Sequence, residues 1–304
     1  MASVDIPSID FSKLPDSKDV SVAMSNLGFL FIKNADVPNQ ELVHDMFAIS
    51  QGFFEGESLE EKEKVSVTVQ NRGWIGNRQE ALDTKVHPTG DLKEIDRAFN
   101  LSKFTTKGQP MQPLPPTLDK HVKTISAFMQ SCHELSMRLL KCFAQHSSIL
   151  RLLYYPPSNL SEDQVQGQIR AGAHSDYGSL TLLFQKSLGG LQVQLPNGEW
   201  LDAPVVDDAV LVNIGDLFEW ADTRARCIES PSRRVEKRPR ADTRSHPTDD
   251  VLLSRIPIKD DDKEEQHARN SVYERFGVDA DEKMSAREWL DRRLAPTYKS
   301  RKDE

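Results

Sequence analysis

The spacing of apolar residues changes twice along this chain, and each change marks a different kind of element. In "VDIPSIDF" apolar and polar positions alternate around Pro7. That pattern predicts a short strand at a sheet edge, where a residue lacking an N–H is tolerated. "VSVAMSNLGFLFIKN" begins at helical spacing, passes through Gly28 and continues into the β-rich "FLFIKN", which predicts helix, turn and strand. In "NQELVHDMFAISQGFFEG" the residues Leu42, Met46, Phe47, Ile49, Phe53 and Phe54 form the stripe of a long amphipathic helix. Ser58, with Glu61 three positions on, predicts a fresh helix start. "RGWIGNRQEAL" and "HPTGDLKEIDRAFNL" read as loop and strand, punctuated by Gly73, Gly76 and Gly90. From Thr117 to Ser147, Leu118, Val122, Ile125, Phe128, Met129, Leu135, Leu139 and Phe143 recur mostly at three and four positions. This predicts one spine helix of roughly 30 residues, about 45 Å long.

After Leu150 the texture turns to strands: "LRLLYYPP", "SLTLLFQ", "GGLQVQL", "EWLDAPV" and "AVLVNIG", separated by Pro156-Pro157, Gly189-Gly190 and "PNGEW". Short strands with frequent turns predict an antiparallel sandwich or barrel. The stretch 221–250, "ADTRARCIESPSRRVEKRPRADTRSHPTDD", has many basic residues, few apolar ones and no strand alternation, so composition predicts a solvated loop or disorder. "DDVLLSRI" then restores a strand-like piece, and "SAREWLDRRLAPTY" a terminal amphipathic helix.

Composition narrows the classes. A net charge of −8 works against nucleic acid and anionic membranes as partners, because counterion release needs a basic face. The arginines around Arg233 do not offset the acidic remainder. Cys132, Cys142 and Cys227 are widely spaced and form no Cys-x-x-Cys pattern, so neither a disulfide framework nor a zinc site is expected. "MASVDIPSIDFSKL" has no basic and apolar leader pattern, and no window reaches the ~18 apolar residues of a membrane span, so a cytoplasmic protein is expected.

The chemistry concentrates in "RAGAHSDYGSLTLLFQ". His174 and Asp176 lie two positions apart, which on a strand turns both side chains to one face. One imidazole and one carboxylate, completed by a second imidazole, make the facial triad of non-haem Fe(II) oxygenases, with open positions for a cosubstrate and dioxygen. Together with "GGLQVQLPNGEWLDAPVVDDAVLVNIGDLFEW" downstream, and with "IPSIDFSKL", "LGFLFIKN", "FFEGESLEEKEKV", "RGWIG", "GDLKEIDRAFNL" and "LLYYPP" in order, this stretch resembles the 2-oxoglutarate and Fe(II) dependent dioxygenases of the isopenicillin N synthase-like family. The resemblance spans nearly the whole chain outside 225–245.

The resemblance implies an α+β protein: a distorted double-stranded β-helix, or jelly roll, with N-terminal and long spine helices packed outside. The implied organisation is an N-terminal region over 1–115, a spine helix over 116–148 and the jelly-roll core over 149–304, with 225–245 divergent or disordered. His174 and Asp176 fall on the family's first two iron ligands, and Tyr155 falls where the family often places a tyrosine that helps bind 2-oxoglutarate. Asn213 reads as a structural residue at a strand end, with Gly215 and Asp216 shaping the following turn. The implied activity is Fe(II)- and 2-oxoglutarate-dependent hydroxylation, desaturation or cyclisation of a small organic molecule, with dioxygen as oxidant.

One ligand is missing. The family's distal histidine, in a stretch like Ser-Thr-x-His-Arg-Val, is due near Cys227 and Ile228, and its Arg-x-Ser is absent from its place. Arg269-Asn270-Ser271 has that spelling but lies too far along. With free choice of codons, "ARCIES" at 225–230 read one nucleotide earlier spells Ser-Thr-Leu-His-Arg-Val, and "ADTRS" at 241–245 in the same shifted frame spells Arg-His-Ser-Ile. A frameshift or misjoined exon from about Ala225 to His246 is therefore expected, leaving two central strands unmade. The alternative function is an inactive homologue or frameshifted product that retains at most a binding scaffold. Cys227 and His246 are the substitute ligands to weigh, whereas His44, His87, His121, His133, His146 and His267 read as surface or packing residues.

Overall fold

The computed structural model describes residues 5–13, 17–68, 70–76, 97–140, 147–155, 173–186, 189–195, 197–221, 238–246, 277–278 and 282–295. The chain opens with β1 (Ser8–Asp10), α1 (Ser17–Asn26) and β2 (Phe29–Lys33). β1 lies at the sheet edge, as the Pro7 pattern predicts, and pairs in parallel with β2. Gly28, at φ 73°, makes the left-handed turn between α1 and β2 that a side chain would strain. α2 (Gln40–Gly56) is capped by Asn39, and α3 (Leu59–Glu63) by Ser58, whose hydroxyl accepts from the Glu61 N–H at 3.2 Å. β3 (Gly73–Ile75) and β4 (Arg97–Leu101) follow.

The spine helix is shorter than its periodicity implies. α4 (Pro116–Asp119) is one short turn, ended where the His121 N–H reaches back three residues to the Leu118 carbonyl, and α5 (Val122–Leu140) is about 28 Å long. Apolar spacing runs straight through that junction, because Leu118 and Ile125 enter the same core on either side of it. β5 (Ser147–Tyr155) begins at the position where the spine helix was expected to end.

β6 (Leu180–Phe184), β7 (Leu191–Gln194), β8 (Trp200–Ala203) and β9 (Ala209–Ile214) match the predicted strands. They are followed by α6 (Asp216–Ala221), β10 (Arg238–His246) and α7 (Ala286–Leu294). The larger sheet has the order β1-β2-β9-β6-β10-β5-β4-β3, and β7 and β8 pair separately. β10 corrects the expectation of a loop or disorder at 238–246 and supplies a central strand where two were expected to be unmade; 222–237 and 247–250 lie outside the described residues. β10 pairs antiparallel along its full length with β5, and through Ala241–Ser245 with β6. Backbone bonding on both edges forms this strand, a force to which side-chain alternation is blind. "DDVLLSRI" lies outside the described residues.

Parity divides the large sheet. Leu30 and Ile32 of β2, Leu180, Leu182 and Phe184 of β6, Val210, Val212 and Ile214 of β9, and Leu150 and Leu152 of β5 enter the main core with α1, α2 and α5. On the other side Phe29, Phe31 and Leu211 pack against Leu191 and Val193 of β7 and Ala203 of β8. Helices on one face and a second sheet against the other make the two-layer frame of a double-stranded β-helix. Each fully buried leucine or phenylalanine contributes about 1.5–3 kcal/mol to holding it.

Candidate metal centre

His174 and Asp176 sit in the loop Ala173–Ser179 that leads into β6, and not on a strand as their spacing suggests. The loop is docked by the junction of β9 and α6. The Gly215 N–H donates to the Ser179 carbonyl at 2.9 Å, the Asp216 N–H to the Asp176 carbonyl at 2.7 Å, and the Leu217 N–H to the Gly178 carbonyl at 3.1 Å. The approach is so close that a Cβ on Gly215 would lie 2.2 Å from the Gly178 carbonyl oxygen and 2.8 Å from that of Asp176. Gly215 is therefore a packing requirement of the loop that carries the expected ligands.

The Asp176 side chain is buried and His174 is partly buried. Asp176 Oδ2 accepts from the Thr181 hydroxyl at 2.6 Å and from Asn213 Nδ2 at 2.9 Å. Thr181 and Asn213 face one another in the register of β6 and β9, so the sheet presents both donors together. Hydrogen bonds to an ionised carboxylate are about twice as strong as neutral ones, and these two fix where the carboxylate points.

α7 supports the loop from outside. Its Ser285 forms a capping box with Glu288 that satisfies the first N–H groups of the helix. Backbone hydrogen bonding from Ser285 holds the Glu288 carboxyl below its ordinary pKa. Trp289 Nε1 donates to the Tyr177 carbonyl at 3.0 Å, and the Arg293 guanidinium stands 4.9 Å over the Tyr177 ring. Arg293 also pairs with buried Asp216 at 2.5 Å. Trp289 packs against Trp220 of α6 with ring centroids 5.7 Å apart.

The remaining expected residues separate as follows. Tyr155 closes β5 in register with Arg238 of β10, and its side chain lies outside the described residues. Cys227, the position of the absent distal histidine and the Arg269-Asn270-Ser271 triplet also lie outside them. His246 ends β10 in register with Ser147. Among the described residues no group of three His, Cys, Asp or Glu side chains gathers to hold an ion. His44 lines a separate cavity of about 430 Å³ beside Phe184 and Val210. Sequence reasoning missed Thr181 as a partner of Asp176 and took Asn213 as merely structural. A polar residue ending the apolar run "AVLVNIG" was the available signal for Asn213. No local pattern pointed to Trp289 or Arg293, whose contacts with Tyr177 and Asp216 span 112 and 77 positions.

Comparison with known proteins adds an independent measure. The family model described as the 2OG-Fe(II) oxygenase superfamily matches residues 146–244, and that of the non-haem dioxygenase N-terminal region matches 6–116. The UPF0676 protein of Schizosaccharomyces pombe is 32% identical over 98% of this chain and 94% of its own length. Proline hydroxylase buaE of Petromyces alliaceus is 31% identical over 67% of this chain and 70% of its own. Among solved structures, a full-length Neurospora crassa protein in complex with alpha-KG and thymine superposes with a TM-score of 0.76 at 26% identity, covering 95% of this chain and 96% of that one.

Proposed function

The chain belongs to the 2OG-Fe(II) oxygenase superfamily, whose cofactors are Fe(II) and 2-oxoglutarate, and on that premise we propose that His174 and Asp176 are two of its iron ligands and that Tyr155 helps seat 2-oxoglutarate. The enzyme is a non-haem dioxygenase that hydroxylates, desaturates or cyclises a small organic molecule. The observation that carries the ligand assignment is the buried Asp176 carboxylate, anchored through Oδ2 by Thr181 and Asn213 beside a partly exposed imidazole. A carboxylate oxygen with an imidazole nitrogen is the mixed donor set that Fe(II) takes in this chemistry, so the pair fits the group.

When bound, Fe(II) with 2-oxoglutarate supplies the oxidising chemistry: 2-oxoglutarate is decarboxylated to succinate and dioxygen is the oxidant. The protein's own part is orientation. Thr181 and Asn213 hold Asp176 in one rotamer, the docking of Gly215 and Asp216 fixes the loop backbone, and Trp289 braces it at Tyr177. Second partners of this kind set ligand geometry and, when lost, cost about 10–100-fold in metal affinity. Cysteine usage supports a cytoplasmic location, and among the described residues no helix is long and apolar enough to cross a membrane. Secondary metabolism is the setting we assign, with no nucleic acid or membrane as partner.

Replacing Asp176 by alanine tests the assignment. The altered chain is expected to lose the visible band that Fe(II) and 2-oxoglutarate give together without dioxygen, and to lose calorimetric Fe(II) binding, while remaining folded. Wild-type iron binding in that variant would move the ligand elsewhere.

The absence of a histidine at 227–228 favours one further reading, that 225–245 is out of frame in this copy. Sequencing the transcript across Thr223 to Asp250 checks it directly. Replacing 225–230 by Ser-Thr-Leu-His-Arg-Val is then expected to tighten Fe(II) binding. An unchanged transcript together with unchanged affinity would point to His246 or Cys227 as the third ligand.

A further inference from the structure

The three arginines of α7, in the sequence "AREWLDRRL", meet different partners. Arg287 pairs with Asp291 of the same helix and Arg292 with Glu282 just before it, both at the surface. Arg293 reaches out of the helix, to Asp216 of α6 at 2.5 Å and over the ring of Tyr177 at 4.9 Å. Trp289 stands four positions earlier, a spacing that puts both residues on one face of a helix. Leu217 and Trp220 of α6 pack with Trp289, Val278 and Met284 in one buried apolar cluster, which holds that face of α7 against α6.

The contacts close around one residue. The Asp216 N–H holds the carbonyl of Asp176, Trp289 Nε1 holds the carbonyl of Tyr177, and Arg293 covers the Tyr177 ring. Both peptide groups that follow Asp176, and the side chain between them, are therefore tied to α6 or α7. Arg293 also links its own two partners, since the Asp216 it pairs with is the residue whose backbone holds Asp176. Tyr177 directly follows the proposed ligand, so a backbone rotation at Tyr177 would carry Asp176 with it.

Charge gives Arg293 a second role at the same place. Asp216 is fully buried, and a buried carboxylate stripped of its counter-charge is strongly unfavourable. A guanidinium meets both demands at once: it stays ionised, forks onto a carboxylate and stacks on an aromatic face, a planar geometry that a lysine ammonium does not match. The helix ends favour the same arrangement, with Asp216 in the first turn of α6 and Arg293 in the last turn of α7. We propose that Arg293 is a positioning residue of the metal centre, which fixes Tyr177 and Asp216 against each other and so orients Asp176 toward Fe(II), an inference that rests on Asp176 being an iron ligand.

The sign of the effect separates this role from plain electrostatics. Removing a cation near the centre would by charge alone tighten Fe(II), whereas loss of positioning weakens it. Arg293→Met is expected to weaken calorimetric Fe(II) binding by about tenfold or more, and to shift or broaden the visible band formed with 2-oxoglutarate without dioxygen. Arg293→Lys, which keeps the charge, is expected to recover part of the loss. Arg292→Met, which removes the same charge one position away, is expected to leave both readouts unchanged. If Arg293→Met does not fold, Arg293→Lys decides, because an affinity equal to that of the wild type overturns the inference there. Unchanged or tighter Fe(II) binding in Arg293→Met, or an equal loss in Arg292→Met, also overturns it while the ligand assignment stands. A wild type that holds no Fe(II), or an Asp176→Ala chain that holds it as well as the wild type, overturns the assignment and the inference with it.

Discussion

On β6, Leu180, Leu182 and Phe184 turn toward the helices while Thr181 turns away, and β9 repeats the division with Val210, Val212 and Ile214 against Asn213. β5 and β4 follow the same rule, with Arg151 and Asn100 on the inner side. The strands are shared, yet at these positions the helix face is apolar and the inner face mixes apolar packing with buried polar groups. The difference teaches that one set of backbones carries two separable tasks, the cohesion of the domain and the placement of its chemistry. A slip of one residue in any of these strands would exchange them.

Separability can be broken or sharpened by substitution. Leu182→Ala, on the helix face, is expected to lower stability by about 2–5 kcal/mol in denaturant unfolding while leaving Fe(II) affinity of the folded fraction unchanged. A parallel fall in iron affinity would show the two faces to be coupled. Asn213→Ala, one strand away on the inner face, is expected to do the reverse. It should weaken Fe(II) binding about 10–100-fold, or about 1.4–2.7 kcal/mol, with little change in the unfolding midpoint. A smaller effect belongs to neither face: Ser285→Ala, which removes the cap of α7, is expected to cost about 1 kcal/mol of stability. If iron affinity also slips in that variant, α7 is part of the loop's support as well as of the core.

Much of this frame was legible in the sequence, for physical reasons that differ by region. β2, β6 and β9 announced themselves because their neighbours bury them and turns bound them; Gly28 marked the turn into β2 through its backbone freedom. His174 and Asp176 were legible as a pair, though their loop was not, because its shape is set by contacts with Gly215 and Asp216. The spine helix was overestimated since apolar spacing continues through a break made by backbone bonding at His121. β10 was illegible altogether, as its charged sequence carries no pattern and its pairing comes from β5 and β6. Asn213 and Thr181 could be seen as polar residues in apolar runs, but only their shared register shows what they hold.

The brace at Tyr177 also bears on how the protein is made. Its donor, Trp289, is synthesised 112 positions after the carbonyl it supports. Once translation has passed α6, the loop of His174 and Asp176 has the docking of Gly215 and Asp216 but still lacks this support. A message with a stop between His246 and Ser285 would therefore yield chains in which every strand of the sheet has been translated and the loop of His174 and Asp176 lacks this brace. Under the proposed ligand assignment, iron would be held more firmly by chains that have been read through α7 than by chains that end before it.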